Sequence, residues 1–440
     1  MSFSIDRPGR TRRAVLYCTV NGIANNTNGL GRQTKTLLAT LDSARDRLIG
    51  PVGPFDVHLA GPSPDASMWA YDRADLDYAV DVTRRWGGAV HGLPYRRSSP
   101  FWSPAVWWSL CQEASALVRV LARTYSEVLV LGVDTPFLGL PEALASSSAG
   151  WPVGVRLLLV PYSTARIVER PSPDPMRVAW EQRGLDAANA LPQVWVADVG
   201  RYLSAHLRDE YGLSGDRLVP FPSSLHLGAA DLQPMPRERA RSVVAHWGVP
   251  VDRPIVLTIG RTDPTKGIDV LLDALAPLRD DVHGMVVAVP LPGQSHLLEA
   301  YRGQVARHEL RVTIVDRFSR DLPRALCALP VTKAVACPSR GETLANVPFE
   351  VALWGQHAGP VVVAPARDGF VEQIEDGVTG LLYDPAAADG LTAAIRSAVD
   401  MGDATRRRMA TAAFQRVRRD RDAVASTRTM LLRMFSPSTG

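Results

Sequence analysis

Cysteine and lysine are scarce in this sequence, and long apolar runs are absent from it. The four cysteines lie far apart, at positions 18, 111, 327 and 337, with neither the spacing of a zinc site nor the density of a disulfide framework. This pattern favours a reducing compartment, so we expect a cytoplasmic protein. The apolar stretch at 153–160 is short and interrupted by an arginine, whereas a membrane-spanning helix needs about 20 apolar residues. Neither a signal peptide nor stable membrane insertion is expected.

Only three lysines, Lys35, Lys266 and Lys333, stand among 49 basic residues. The formal net charge is +4 over 440 residues, which is too weak to indicate a nucleic-acid partner. With 46% apolar and 21% charged residues, the composition is ordinary for a globular protein of two or three domains. Because arginine replaces lysine almost everywhere, each remaining lysine is a candidate for a specific role.

Short β-branched runs alternate with helical stretches, which predicts an α/β protein with parallel sheets. The predicted strands are 14–20, 56–60, 127–132, 155–160, 194–197, 217–221, 254–259, 285–289, 312–315, 334–337, 361–364 and 380–383. A proline-rich segment at 220–236 is expected to be an exposed linker. We therefore predict two Rossmann-like domains that face each other across a cleft, at 1–225 and 226–403, followed by a basic C-terminal helix within 404–440.

A glycine pair follows the first predicted strand, in the segment Asn28-Gly29-Leu30-Gly31-Arg32. Glycine lets the backbone approach a ligand closely, and a helix N-terminus offers free amides to an anion. The third glycine of the dinucleotide-binding fingerprint is missing. An anion-binding loop and a plain strand-to-helix turn both fit this segment.

Basic residues follow the first strand of the second half, as Gly260-Arg261 and then Lys266-Gly267. Ligands of open α/β sheets bind outside the carboxyl ends of the strands. A guanidinium fork and an ammonium point charge together suit a diphosphate. The alternative is a solvated basic loop.

Two glutamates eight positions apart, Glu342 and Glu350, flank the segment Thr343-Leu344-Ala345-Asn346-Val347. We expect Asn346 to cap a helix that tolerates Pro348 in its first turn. The amides of 344–347 would then face the cleft, where a phosphate and sugar hydroxyls suit this combination of groups. Two ordinary surface glutamates on a capped helix are the alternative.

Four features form one pattern: Gly-Arg-x4-Lys-Gly, Glu-x7-Glu, the segment 368–372 and the segment 376–380. With this pattern the sequence resembles the retaining glycosyltransferases of family 4, which have the GT-B fold. The resemblance implies that Arg261 and Lys266 hold the donor diphosphate. It also implies that Glu350 binds the ribose hydroxyls, that Glu342 lies against the transferred sugar, and that Glu372 belongs to the donor site. In this family the last helix crosses back to pack on the first domain.

The implied reaction moves a sugar from a nucleoside diphosphate to a small acceptor, with retention and without a metal or other cofactor. The implied catalytic residues are Glu342, Arg261 and Lys266. The implied donor-binding residues are Gly29, Gly31, Gly260, Arg261, Lys266, Thr343, Leu344, Ala345, Asn346, Val347, Glu350 and Glu372. One Asp-x-Asp pattern, at 75–77, lies in a charge-rich helical stretch, and we interpret it as a solvated face rather than a metal site.

The sequence departs from the family pattern at two places. Glu342 is followed by Thr-Leu-Ala instead of Gly-Phe-Gly, and Pro161-Tyr162-Ser163-Thr164 stands where the family has a histidine near the donor sugar. Aromatic residues in the first half, with Trp102, Trp107 and Tyr162 as the candidates, suit an acceptor site. A core helix or a membrane-surface patch would explain the tryptophans as well.

We expect a GDP-sugar slightly more than a UDP-sugar as donor, and closure of the two domains around it. The arginine-rich coding is typical of actinomycetes, which favours an acceptor from secondary metabolism or antibiotic biosynthesis. A looser resemblance, attached to no motif, is to lincosamide-pathway transferases that join a sugar to a thiol such as ergothioneine. Two alternatives stay open. One is a sugar-nucleotide epimerase on the same fold, and the other is a protein that binds nucleic acid or lipid through the arginines of 406–433.

Overall fold

Two parallel β-sheets, one in each half of the chain, organise the protein. The computed structural model describes residues 12–25, 29–65, 68, 70–146, 148–291 and 293–435. The first sheet has the order β3-β2-β1-β4-β5-β6-β7 and the second β10-β9-β8-β11-β12-β13. The strands are β1 (Arg13–Cys18), β2 (Asp56–Pro62), β3 (Val90–Leu93), β4 (Glu127–Val133), β5 (Val155–Val160), β6 (Val194–Asp198), β7 (Leu218–Pro220), β8 (Ile255–Arg261), β9 (His283–Val289), β10 (Val312–Val315), β11 (Thr332–Ala336), β12 (Val361–Pro365) and β13 (Leu381–Tyr383).

Helices connect consecutive strands, as parallel pairing requires. They are α1 (Gly29–Ser43), α2 (Arg45–Val52), α3 (Arg73–Arg85), α4 (Pro104–Leu121), α5 (Leu140–Ala145), α6 (Ala165–Val168), α7 (Pro175–Ala190), α8 (Arg201–Tyr211), α9 (Arg237–His246), α10 (Ile268–Leu275), α11 (Ser295–Arg307), α12 (Asp321–Cys327), α13 (Asn346–Trp354), α14 (Phe370–Gln373), α15 (Gly390–Asp400), α16 (Asp403–Asp420) and α17 (Ala423–Phe435). None of those helices, over the described part of the chain, is long and apolar enough to cross a membrane.

The central strands are apolar because helices cover both faces of each sheet. Val15 of β1 lies opposite Val57 on one side and Leu129 on the other, and all three side chains are buried. Strand order reverses between β1 and β4 and again between β8 and β11. Ligands of open α/β sheets bind at the carboxyl ends of strands beside such a reversal, so each half has one edge suited to a ligand.

The predicted pair of Rossmann-like α/β domains with a helical C-terminus is confirmed. Every predicted strand has a counterpart, and β3 is the strand that the sequence pattern did not indicate. The domain boundaries 1–225, 226–403 and 404–440 stay predictions, and residues 1–11 and 436–440 lie outside the described part.

Two expectations about the connection between the halves are wrong. The segment 220–236 is not simply exposed, because Leu225 and Leu232 are buried in a cluster with α13 and α16. The basic C-terminal segment is not one helix, since α16 ends at Asp420 and α17 begins at Ala423. At the break, Leu225 N donates to the carbonyl of Arg421 (3.0 Å) and Ala423 N donates to the carbonyl of Leu225 (3.1 Å). The two connections between the halves are therefore bonded to each other, and the Arg421 guanidinium adds a bond to the carbonyl of Ser223 (3.3 Å).

Candidate active site

The carboxyl end of β8 gathers the predicted diphosphate-binding residues. Asp263 organises the turn after the strand: its carboxylate accepts hydrogen bonds from Thr265 N (2.9 Å) and from the Arg261 guanidinium (3.1 Å). Gly267 follows with φ +64°, and a Cβ there would lie 2.1 Å from the carbonyl oxygen of Pro338. The turn thus requires glycine at 267, and it sends Lys266 back toward the end of β11.

Lys266 and Glu342 form an ion pair, with Nζ 2.6 Å from Oε2. Both side chains are largely buried, at 27% and 13% exposed. The backbone of Glu342 is fixed as well, because Gly369 N donates to its carbonyl (3.0 Å). Arg261, Lys266 and Glu342 therefore meet at one edge of the second sheet, although 76 positions separate the lysine from the glutamate.

Asn346 does not cap α13, which corrects the expectation from the sequence. The N-cap is Ala345, whose amide donates to Gln373 Oε1 (3.0 Å). The Asn346 side chain instead reaches the first half, donating to the carbonyl of Gly29 (3.2 Å) and accepting from Gln33 Nε2 (3.1 Å). The start of α1 thus touches the start of α13.

The glycine segment of the first half lies against the start of α13 in the second half. Gly29 opens α1, and Gly31 is buried in its first turn. The backbone of Gly31 packs against Gly22, where a Cβ would lie 2.7 Å from the Gly31 carbonyl oxygen. Asn28, the first residue of the predicted segment, lies outside the described residues.

Glu350, the predicted ribose-binding carboxylate, is held by the first half. Its Oε1 accepts from Arg32 Nε at 2.9 Å, and only 13% of the side chain is exposed. The same guanidinium also pairs with Asp231 in the connection between the halves. Arg32 therefore links α1, the interdomain connection and α13.

Both carboxylate oxygens of Glu372 are bonded to groups of the protein. One oxygen accepts from the amide of Tyr202 (2.6 Å), and the other lies 3.3 Å from the Arg421 guanidinium. A glutamate so placed satisfies a free amide at the N-terminus of α8. Glu372 thereby joins α14 to the first half and to the break before α17.

The loop after β5 carries Tyr162 in the segment where the resemblance leads us to expect a histidine. Tyr162 is not an exposed ring: burial raises the pKa of its phenol well above the usual value. Its carbonyl accepts a hydrogen bond from the hydroxyl of Thr343, the residue after Glu342. The departure from Gly-Phe-Gly to Thr-Leu-Ala thus creates a direct bond between the two halves.

Asp134 and Asp368 are candidate site residues that the sequence reasoning missed. Both have positive φ, at 66° and 54°, a region that residues other than glycine enter mainly at constrained sites. Asp368 accepts from Tyr202 Oη (2.8 Å) and from the Arg170 guanidinium (2.9 Å). Asp134 follows β4 directly, and its Oδ1 is buried without a hydrogen-bond partner among the described residues. For Asp134, the signal available in the sequence was an aspartate immediately after β4, a strand at the reversal of strand order.

The predicted acceptor tryptophans occupy different environments. Trp102 is 46% exposed, and its ring centroid lies 5.4 Å from that of Trp107. Trp107 itself is 1% exposed and packs against Trp180 in the core of the first half. Trp107 therefore lies behind Trp102, because the side of α4 that carries Trp107 packs toward the sheet.

The Asp-x-Asp pattern is split between two environments. Asp77 is exposed on α3 and pairs with Arg73, whereas Asp75 is 12% exposed and lies 2.6 Å from Lys35 Nζ. Asp75 is therefore not part of a solvated face. In the described ranges, no group of three or more histidine, cysteine or acidic side chains is arranged to hold a metal ion.

Comparisons with known proteins agree with this architecture. Residues 242–416 match the family model "Glycosyl transferases group 1". A D-inositol 3-phosphate glycosyltransferase of Acidothermus cellulolyticus is 29% identical over 235 residues, which cover 51% of this chain and 49% of the relative. Its counterpart in a Mycobacterium species (strain KMS) is 31% identical over 259 residues, covering 57% and 54%. The chain thus spans about half the length of the curated relatives that it matches.

Two solved structures share the whole arrangement of both halves. Sucrose-phosphate synthase from Thermosynechococcus elongatus superposes with a TM-score of 0.71 at 18% identity, covering 95% of this chain and 96% of that one. Anabaena HepE in complex with UDP and glucose superposes with a TM-score of 0.67 at 17% identity, covering 95% and 97%. At these identities the likeness establishes the fold, which is GT-B.

Proposed function

We propose that this protein is a retaining glycosyltransferase that moves a sugar from a nucleoside diphosphate to a small-molecule acceptor. The observation that carries the proposal is the meeting of Arg261, Lys266 and Glu342 at the carboxyl end of β8, opposite the start of α1. A site of this kind offers two cations to a diphosphate and a carboxylate to a sugar. The family match at 242–416 and the glycosyltransferase names of the relatives support it.

In this proposal Arg261 and Lys266 stabilise the negative charge that develops on the leaving diphosphate, which is the largest catalytic contribution expected. In the structure Lys266 pairs with Glu342. A bound diphosphate would compete for the ammonium and free Glu342 to accept a hydroxyl of the transferred sugar. The configuration at the anomeric carbon is retained if the acceptor attacks on the face from which the diphosphate leaves. The leaving phosphate oxygen then takes the proton of the acceptor.

The finer parts of the proposal concern the substrates. We infer a GDP-sugar ahead of a UDP-sugar, and an acceptor from secondary metabolism such as a thiol, ergothioneine among them. No metal or other cofactor is part of the mechanism proposed. A cytoplasmic location remains part of the same proposal.

Some arginines of the C-terminal segment are bonded to groups of the protein itself. Arg406 is 1% exposed and donates to the carbonyl of Gly359 (3.1 Å). Arg419 pairs with Asp420 at 2.7 Å, and Arg421 pairs with Glu372. These contacts favour a packing role for the segment over nucleic-acid or lipid binding.

The deciding experiment measures donor consumption with GDP-, UDP-, ADP- and TDP-sugars, with and without candidate acceptors. The nucleoside diphosphate of the consumed donor should also stabilise the protein against unfolding, because a ligand that binds only the folded state raises the apparent stability. Transfer that depends on an acceptor supports a glycosyltransferase. Conversion of the donor without any acceptor would instead identify an epimerase. If no nucleotide binds, the proposal fails.

A further inference from the structure

We propose that Gln373 is a positioning residue for the transfer reaction, because it holds the loop that carries Glu342. Residues 342–346 are here called the donor loop. Gln373 acts through Ala345, which lies three positions after Glu342 in this loop. The inference rests on the proposed function, in which Glu342 and Lys266 bind the donor.

Gln373 is bonded to the backbone of Ala345 through both ends of its side-chain amide. The Ala345 amide donates to Gln373 Oε1 (3.0 Å), and Gln373 Nε2 donates to the Ala345 carbonyl (2.6 Å). Gln373 is 7% exposed, so solvent competes little with either hydrogen bond. Because a primary amide is a donor and an acceptor at once, the pair of bonds fixes the orientation of one loop residue.

The neighbours of Gln373 on α14 are apolar. Phe370 and Ile374 belong to the buried core of the second half, and a polar side chain among such residues is costly unless it is hydrogen-bonded. The two hydrogen bonds that compensate this cost both go to Ala345. The polarity of Gln373 therefore serves the donor loop rather than the packing of the core.

The segment that carries Gln373 also holds the donor loop at an earlier point. Gly369 N donates to the carbonyl of Glu342 (3.0 Å), and a Cβ at Gly369 would lie 1.7 Å from the carbonyl oxygen of Thr343. Residues 369–373 thus contact the loop at its first, second and fourth positions. The backbone of the loop is fixed on both sides of Leu344.

The donor loop in turn places Glu342 against Lys266. Glu342 Oε2 lies 2.6 Å from Lys266 Nζ, and the glutamate side chain is 13% exposed. The lysine belongs to the turn after β8, so the pair forms where the loop meets that turn. A displacement of about 1 Å at a reacting group can cost about a hundredfold in rate. Release of the loop is therefore expected to slow the reaction.

Glu372, the residue before Gln373, has a different partner. Its carboxylate accepts from the amide of Tyr202 in the first half (2.6 Å). Adjacent residues of α14 thus contact different parts of the protein, Glu372 the first half and Gln373 the donor loop. A substitution at 373 removes the bonds to the loop and keeps the bond between the halves.

The test is the steady-state kinetics of Gln373→Met, which keeps a side chain of similar length and removes both hydrogen bonds. We expect kcat to fall about tenfold, equivalent to about 1.4 kcal/mol, with the donor KM within about twofold of wild type. The reason is that Lys266 and Glu342 act where charge develops in the transition state, while the rest of the nucleotide keeps its contacts. Gln356→Met is the matched control, because Gln356 Nε2 donates to the carbonyl of Leu353 (3.2 Å) at the other end of α13. It should keep the wild-type kcat.

A double-variant comparison separates positioning from a general loss of folded protein. In a Glu342→Gln background the positioned group is already altered, so Gln373→Met should reduce kcat by less than about threefold. A loss of folded protein would reduce kcat by the same factor in both backgrounds. If Gln373→Met does not fold, Gln373→Glu replaces it, because a carboxylate still accepts from the Ala345 amide but cannot donate to its carbonyl. The same change in kcat without KM is then expected, at a smaller size.

Four results would overturn the proposal. They are a kcat within about twofold of wild type in the variant used, a KM that rises as much as kcat falls, an equal loss in Gln356→Met, and an equal effect of the 373 substitution in the Glu342→Gln background. Failure of the wild-type protein to consume any donor would instead overturn the proposed function.

Discussion

Arg32 Nε lies 2.9 Å from Glu350 Oε1, so α1 of the first half forms an ion pair with a carboxylate of the second half. Glu350 is the residue proposed to bind the donor ribose. In that proposal the ribose hydroxyls would share this carboxylate with the Arg32 guanidinium. The pair would then couple the position of α1 to nucleotide binding.

Glu350→Gln is expected to separate ribose binding from diphosphate binding. The amide is a weaker acceptor for hydroxyls, so the nucleoside diphosphate should bind about tenfold more weakly, or about 1.4 kcal/mol. Inorganic diphosphate, which has no ribose, should bind equally to both proteins. Titration calorimetry with the two ligands provides the comparison. Equal weakening of both ligands would show that Glu350 supports the site without contacting ribose.

Lys266→Ala is expected to reduce donor turnover by at least about a hundredfold, because an ammonium at the leaving diphosphate contributes several kcal/mol to the transition state. Lys333→Ala is the matched control, since Lys333 pairs with the exposed Asp403 at 3.3 Å on the surface. It should stay near wild-type turnover. A Lys266→Ala rate within a few-fold of wild type would remove the diphosphate role.

Glu372→Ala is expected to lower stability more than it changes nucleotide affinity. It removes the acceptor of the Tyr202 amide and leaves Arg421, 12% exposed in its side chain, without its buried partner. Breaking such a pair costs about 3 kcal/mol. Glu375→Ala, at a side chain 62% exposed, should cost less than about 0.5 kcal/mol. Urea unfolding of both variants, followed by nucleotide titration, measures the two effects. Lost nucleotide binding with unchanged stability would place Glu372 in the donor site instead.

Lowering the pH is expected to reduce the stability of the first half through the protonation of His58. Burial and the neighbouring His91 lower the pKa of His58 to about 4, whereas an unfolded histidine titrates near 6.5. Between these values the unfolded chain binds more protons, so stability falls as the pH drops from about 6.5 to 4. The loss should be about 3 kcal/mol. Denaturant unfolding across this range should show a smaller slope for His58→Gln, while His246→Gln, at an exposed ring, should behave as wild type.

The strand pattern was readable from the sequence because buried parallel strands are continuous apolar runs. The predicted strands at 155–160 and 312–315 coincide with β5 and β10. The missed strand, Val90–Leu93, contains a histidine and a glycine and lies at the sheet edge, half-buried. An edge strand of that composition has no apolar period to detect.

Contacts between the halves were not readable from the sequence. Asn346 fits a helix cap by local rules, yet Gly29 and Gln33, more than 300 positions away, take its side chain. Glu372 fits the family pattern, but its partners at 202 and 421 follow from tertiary packing alone. Spacing along the chain predicted which residues follow the strands, whereas tertiary packing determines which of their side chains bond to the other half.

The return of α17 to the first half has a consequence for how the chain is made on the ribosome. Val424, Met430, Leu431, Met434 and Phe435 belong to the same buried cluster as β1 and β4. The earliest half to be synthesised therefore lacks part of its core until residues 423–435 have emerged. The second half, whose core needs no residue beyond Val417, can pack before then. Domains usually fold in the order of synthesis, but here the half translated first is the one completed last.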